Sequence, residues 1–249
     1  SAYETNGIEE KIGEVTIQNN KLCFDMASYR PKTFAVRLKK GNVKAAPIKN
    51  IPLQLPFNSK AFTPENFGYT VSFDKKGNSF AAELIGDKVT CDNITFSIAD
   101  HENKNVIKCK GDTIQLPKEA AGKKLYILAA STDKDRKSTF LVNGKSHEFE
   151  IPYYSGFYGQ WGHKGVSDGY IRNASLAYIG SHRHTEKGND TYIYTYMYKL
   201  GIELPQEAHT LVLPKDENIA VFAITLSDNY IDDISTANEM RTLPLEVSK

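Results

Sequence analysis

The segment SHRHT (181–185) sets two imidazoles two residues apart around a guanidinium. In an extended chain His182 and His184 point to one face and Arg183 to the other. Two imidazoles on one face could share a zinc ion, but no third ligand is evident, because Glu186 and Asp190 lie beyond a turn expected over 185–190. The permanent charge of Arg183 between them also disfavours an added cation. The expectation is therefore no metal here, and a polar face of His182, Arg183 and His184 that meets a glycan or a neighbouring domain. The guanidinium fork suits carboxylates and vicinal hydroxyls, and an imidazole can donate and accept beside it. Histidines bonded within the fold are the alternative.

A second group lies in SGFYGQWGHKGVSDGY (155–170), where Gly156, Gly159, Gly162, Gly165 and Gly169 surround Tyr158, Gln160 and Trp161, the sole tryptophan. Glycines let a loop approach a partner closely, and large aromatics beside an amide are the content of a carbohydrate site. A loop buried against another domain would use the same residues. Tyr158, Gln160 and Trp161 join His182, Arg183 and His184 as candidates for carbohydrate or interdomain contact.

Third, TYIYTYMYKLGIEL (191–204) repeats tyrosine at 192, 194, 196 and 198 and continues the same alternation with Leu200, Ile202 and Leu204. An exposed row of rings would stack on sugars. A row that grades into aliphatics is what a sandwich packs inward, so the expectation is core. Catalytic chemistry has no such signal: no GxSxG elbow, HExxH, P-loop or GxGxxG occurs, and no carboxylate pair stands out among 30 acidic residues. No catalytic residue is nominated.

The elements that must carry these groups read as strands. Period-two runs bounded by Gly, Asn, Asp or Pro recur throughout, among them TFAVRL, YTVSF, NITFSI, KLYILAA, STFLV, HEFEI and IAVFAITL. The one short helical candidate is DISTANEMR (233–241). The fold class is all-β, with a sandwich favoured over a closed barrel because the strands are short and unevenly spaced. The stretches DTIQLPKEAAGKKLYILAAS (112–131) and HTLVLPKDENIAVFAITLS (209–227) share a strand, Leu-Pro-Lys, a turn and a second strand. Pro117 and Pro214 should each close the first strand, since proline cannot donate to a ladder. A boundary is expected near KKGNVKAAPIKN (39–50), giving residues 1–46 as a short strand set and 47–249 as a sandwich region.

With 31 basic and 30 acidic residues the net charge is +1, and no basic run exceeds a Lys-Lys pair, which argues against nucleic acid or an anionic membrane as partner. No apolar run approaches the ~20 residues of a membrane-spanning helix. Cys23, Cys91 and Cys109 form neither a disulfide framework nor a CxxC pair, and Cys109 shares a face with Ile107, as a small buried residue would. The opening SAYETNGIEE reads as text from within a protein, so a fragment or processed chain is expected.

Several segments together resemble the C-terminal β-domains of family 38 glycoside hydrolases, the α-mannosidases, in their bacterial form: NGIEE, MASYRPKTFAVRL, LVNGKSHEFEIPYYSGFYGQW, and YIGSHRHTEKGNDTYIYTYMYKLGIELPQEAHTLVLPKDENIAVFAITLSDN. The stretch from GNSFAAEL to KLYILAAS is also similar to galactose-binding-like jelly rolls. The resemblance implies an accessory sandwich region that packs on a catalytic domain of the same polypeptide, with residues 1–46 as the closing strands of a preceding β-domain. In that family a separate barrel holds zinc through a His-x-Asp pair and hydrolyses α-mannosides with retention. None of the six histidines here is followed two residues on by Asp, so no cofactor is expected in this chain and none of the family's catalytic residues transfers. A free-standing lectin-like module is the other reading.

Overall fold

The structure, a computed structural model, describes residues 1–19, 21–38, 48–65, 71–156 and 174–228, and it divides into two compact units, Ser1–Pro47 and Ile48–Lys249. The helical candidate at 233–241 lies outside the described residues. In the first unit β1 (Ala2–Thr5) pairs antiparallel with both β2 (Lys11–Glu14) and β5 (Thr33–Val36), while β3 (Thr16–Gln18) and β4 (Lys21–Cys23) form a separate hairpin. The turn after β1 is organised by Asn6, whose side-chain oxygen accepts from the backbone N–H groups of Ile8 and Glu10.

The second unit is a β-sandwich. Its strands are β6 (Asn50–Pro52), β7 (Phe62–Thr63), β8 (Ser79–Ala81), β9 (Lys88–Cys91), β10 (Ile94–Ser97), β11 (Ile107–Lys108), β12 (Thr113–Gln115), β13 (Lys124–Ser131), β14 (Arg136–Val142), β15 (Lys145–Ile151), β16 (Ser155–Gly156), β17 (Ser175–Thr185), β18 (Gly188–Glu203), β19 (Thr210–Val212) and β20 (Ile219–Ser227). The larger sheet runs β11-β20-β13-β18-β17-β8-β7, with β16 added on β18 and β6 on β20, and the smaller runs β12-β19-β14-β15. Among the described residues the only helical turns are the 3-10 segments Ala82–Leu84 and Lys118–Ala120.

Strand β13 is buried along its whole length because the large sheet is covered on both faces. Leu125, Ile127 and Ala129 face a core shared with Phe140, Val142, Leu211 and Leu213 of the small-sheet region. Tyr126, Leu128 and Ala130 face a second core built from Phe62, Phe73, Phe80, Phe96, Tyr154 and Phe222. A strand buried on both sides reads as a continuous apolar run, which is how KLYILAA and IAVFAITL are written. Cys109 is fully buried in the first of these cores, and burial pushes its thiol well above the ordinary range.

The internal recurrence has a structural counterpart. Strands β12 and β19 pair with each other in the small sheet, and β13 and β20 pair in the large one. Both pairs are antiparallel, so the two strand–Leu-Pro-Lys–strand units cross between the sheets side by side in opposite directions. Pro117 and Pro214 follow the ends of β12 and β19, where neither interrupts a ladder.

The expected strand YTVSF does not continue into a ladder at its described residues. Val71, Ser72 and Phe73 lead into a turn held by the buried carboxylate of Asp74, which accepts from the backbone N–H groups of Lys76 and Asn78, from Asn78 Nδ2 and, at 2.8 Å, from the Tyr154 hydroxyl. Four donors on one carboxylate satisfy it without solvent. Burial and the adjacent Asp74 push the Tyr154 phenol far above its ordinary range, so it stays a donor. The turn delivers Phe80 into the aromatic core, with ring centroids 5.2 Å from Tyr154 and 5.3 Å from both Phe73 and Phe222.

Two stability measurements probe this arrangement. Phe80→Ala should cost about 3–5 kcal/mol in denaturant unfolding, because the emptied space is walled by rings that cannot collapse into it. Lys108 lies with Nζ 4.0 Å from the Phe73 ring centroid and donates to the Phe73 carbonyl, and burial lowers its pKa to about 8 despite the favourable charge of Asp74. A lysine whose folded pKa is depressed destabilises most below that value. Its penalty is relieved as pH rises from about 8 toward the unfolded value of 10.5. Lys108→Met keeps the stem over Phe73, and it should remove an increase in stability on the order of 1–3 kcal/mol that the parent gains across that window.

Candidate functional site

The site sits where β8 joins the hairpin of β17 and β18. That hairpin turns through Glu186 and Lys187, with Thr185 opposite Gly188. Thr185 Oγ1 accepts from the Lys187 N–H and donates to the Gly188 carbonyl, and Gly188 holds φ +105°, a conformation open mainly to glycine. Strand β8 runs antiparallel along the other side of β17, with Phe80 opposite Arg183 and Ser79 opposite His184. The 3-10 turn that follows β8 then sets Glu83 beside the histidines.

Glu83 Oε1 lies 3.1 Å from His182 Nε2 and 2.9 Å from His184 Nε2, and the three potential ligand atoms are all within 4.8 Å of one another. The imidazoles stack with centroids 5.4 Å apart and an interplanar angle of 29°. His184 is nearly buried at 5% side-chain exposure, His182 is at 15% and Glu83 at 28%, so the group is open along one side. On the second nitrogen of His182 the Ser181 hydroxyl sits 3.3 Å from Nδ1.

Arg183 points the other way. Its Nε donates to Asp190 Oδ2 at 2.8 Å, its Nη2 lies 2.7 Å from the same oxygen, and Nη1 donates to Ser155 at 3.5 Å. Pairing removes the objection that this guanidinium would repel a cation at the histidines. On this hairpin an open cleft of about 420 Å³ is lined by Lys76, Thr185, Glu186, Lys187, Asn189 and Asp190.

Sequence reasoning missed Glu83, which stands 99 residues before His182. It follows a short apolar strand with nothing to distinguish it from the other acids; only the pairing of β8 with β17 marks it. Tyr158, Gln160 and Trp161 lie outside the described residues.

The tyrosine row needs correction. Tyr196 and Tyr198 are buried, donating to the carbonyls of Gly156 and Tyr153, and Tyr194 is half-buried. Tyr192, by contrast, is 75% exposed with φ +65°. The register slips here: Gly180 pairs with Thr195 but His182 pairs with Thr191, so β18 carries extra residues between these points. Nor do the tyrosines share a core with the aliphatics that follow: Tyr196 and Tyr198 join the aromatic core, Leu200 and Ile202 the other. Strict alternation overlooked the bulge.

Next to the bulge, Tyr178 and Thr195 carry buried hydroxyls. Burial, with the Glu83 carboxylate nearby, pushes the Tyr178 phenol up to about 12. Both hydroxyls crowd Gly180, where a Cβ would fall 2.5 Å from Thr195 Oγ1 and 2.8 Å from the Tyr178 hydroxyl.

Residues 49–230 match the AziU2-like beta-sandwich domain family. The chain belongs to that family. No curated protein matches it. The family carries the β-sandwich part of the sequence reading, and the two-sheet architecture of the second unit agrees with it.

Gly180→Ala should lower stability by about 1–3 kcal/mol, the range for overpacking a filled interior. Combined with Thr195→Ala the loss should shrink, because the closest atom is gone. A double-mutant cycle by denaturant unfolding reads this coupling, and strict additivity would mean that the two sites do not touch.

Proposed function

We propose that this AziU2-like sandwich is an accessory module of a glycan-acting protein, presenting the β17–β18 hairpin to a hydroxyl-rich ligand. The observation that carries the reading is Tyr192. A bulky aromatic residue at positive φ is a backbone outlier, and strain of this kind persists where the surrounding structure or a ligand requires it. Its ring is turned outward on the strand that also contributes Asn189 and Asp190 to the polar cleft. An exposed ring on the strand that supplies amide and carboxylate groups to a cleft could offer a saccharide an apolar surface for its C–H face, and the cleft partners for its hydroxyls. Lys76 and Lys187 supply donors, and Asn189 both donates and accepts.

The likeness of the sequence to the C-terminal domains of α-mannosidases supports α-mannosides as the ligand class, with hydrolysis carried out by a catalytic domain that these residues do not contain. Packing against that domain would use the same hairpin. A free-standing lectin-like module is the second reading, favoured by the self-contained cleft.

Titration of the chain with α-linked mannose oligosaccharides, followed by heteronuclear NMR, should shift the amides of 185–192 in a saturable way. Tyr192→Ala should weaken binding at least about tenfold, the value of roughly one stacked ring and its buried area, without changing the far-ultraviolet circular dichroism. An unshifted spectrum with every glycan offered would sink the ligand reading. The purified chain should not cleave aryl α-mannosides, with or without zinc; cleavage would refute the accessory role.

A further inference from the structure

We infer that Glu83, His182 and His184 form a binding site for a divalent first-row transition ion, with zinc the ion their donor set fits best. The site is independent of the glycan reading, since its two histidines project from the face of β17 opposite Arg183.

The geometry is the first argument. Zinc held tetrahedrally at about 2.0–2.2 Å would set its donor atoms about 3.3 Å apart. The distances from Glu83 Oε1 to the two imidazole nitrogens, 3.1 and 2.9 Å, are already close to that spacing. An ion needs the two Glu83–imidazole distances to open by a few tenths of an ångström, and the ligand atoms all lie within 4.8 Å of one another. Two imidazoles and one carboxylate suit borderline ions such as zinc, cobalt and iron(II). Three protein ligands leave at least one position for water or an added ligand, and the partial exposure of Glu83 and His182 supplies the way in.

The charge arrangement is the second. Glu83 offsets one of the two positive charges, while Arg183, between the two histidines in sequence, is paired with Asp190 and directed away. Protons must also be placed. In the hydrogen-bonded form each Nε2–H donates to Glu83. To bind metal, each imidazole must present a bare Nε2 and carry its proton on Nδ1. For His182 the Ser181 hydroxyl stands at Nδ1 and can accept that proton's hydrogen bond as readily as it donates in the other tautomer. A metal-ligating imidazole normally has such a partner on its second nitrogen.

The test uses the full chain without a histidine tag, stripped with EDTA and titrated at pH 7.5 with zinc by calorimetry and with cobalt(II) by visible absorption. The expected result is one equivalent of zinc, cobalt bands of the intensity of a four- or five-coordinate site that zinc abolishes, and a thermal midpoint raised by zinc. Glu83→Gln and His182→Ala should each weaken binding roughly tenfold or more, whereas His147→Ala should not. Because His184 is nearly buried and its removal could unfold the sandwich, its part is read in the parent chain: zinc should move the Nε2 resonances of both His182 and His184 in long-range ¹H–¹⁵N spectra. Absence of zinc uptake by the folded parent would overturn the proposal. So would binding that survives Glu83→Gln and His182→Ala unchanged, or spectra in which zinc leaves the two imidazoles untouched.

Discussion

The candidate site depends on the pairing of one three-residue strand with the end of a long hairpin. Strand β8 meets β17 only at Phe80–Arg183 and Ser79–His184, yet this short ladder fixes where the chain emerges and so where Glu83 lies. Two backbone pairs cannot hold such a segment alone. The anchor is Phe80, fully buried among Phe62, Phe73, Tyr154 and Phe222. Behind it stands Asp74, which closes the preceding turn and ties it to Tyr154 across 80 residues of sequence. A buried carboxylate is tolerated because its acceptor sites are filled, and the same saturation makes the turn rigid.

The large sheet supplies the frame for that anchor. Its central strands are buried on both faces, one against the aliphatic core and one against the aromatic core. The antiparallel pairing of β12 with β19 and of β13 with β20 means that two similar stretches of sequence meet similar surroundings from opposite directions. Their shared pattern of apolar residues, Leu-Pro-Lys and turn is thereby accounted for by the environment, whether or not the stretches share an origin.

On β17 the period of two separates two kinds of chemistry within three residues. His182 and His184 converge on a carboxylate, while Arg183 between them engages Asp190 at the polar cleft. A strand can do this because neighbouring side chains leave it on opposite faces. The bulge in β18 adds to the separation by turning Tyr192 outward while Tyr196 and Tyr198 remain in the core.

The sequence by itself determined the all-β class, the sandwich, the burial of Cys109, the placing of Pro117 and Pro214 at strand ends, and the opposed directions of Arg183 and its flanking histidines. Each follows from local rules: alternation reports which face is apolar, and proline reports where a ladder stops. The tertiary structure decided the rest. Glu83 became the third member of the histidine group through a strand pairing 99 residues away in sequence, and Tyr192 left the core through a bulge that is defined only relative to a partner strand. Residues 71–73 left the expected strand for a turn because Asp74 found its donors partly in Tyr154, far along the chain. Periodicity records how a segment faces the interior, but pairing, register and the meeting of distant polar groups are properties of two segments together, and no single segment carries them.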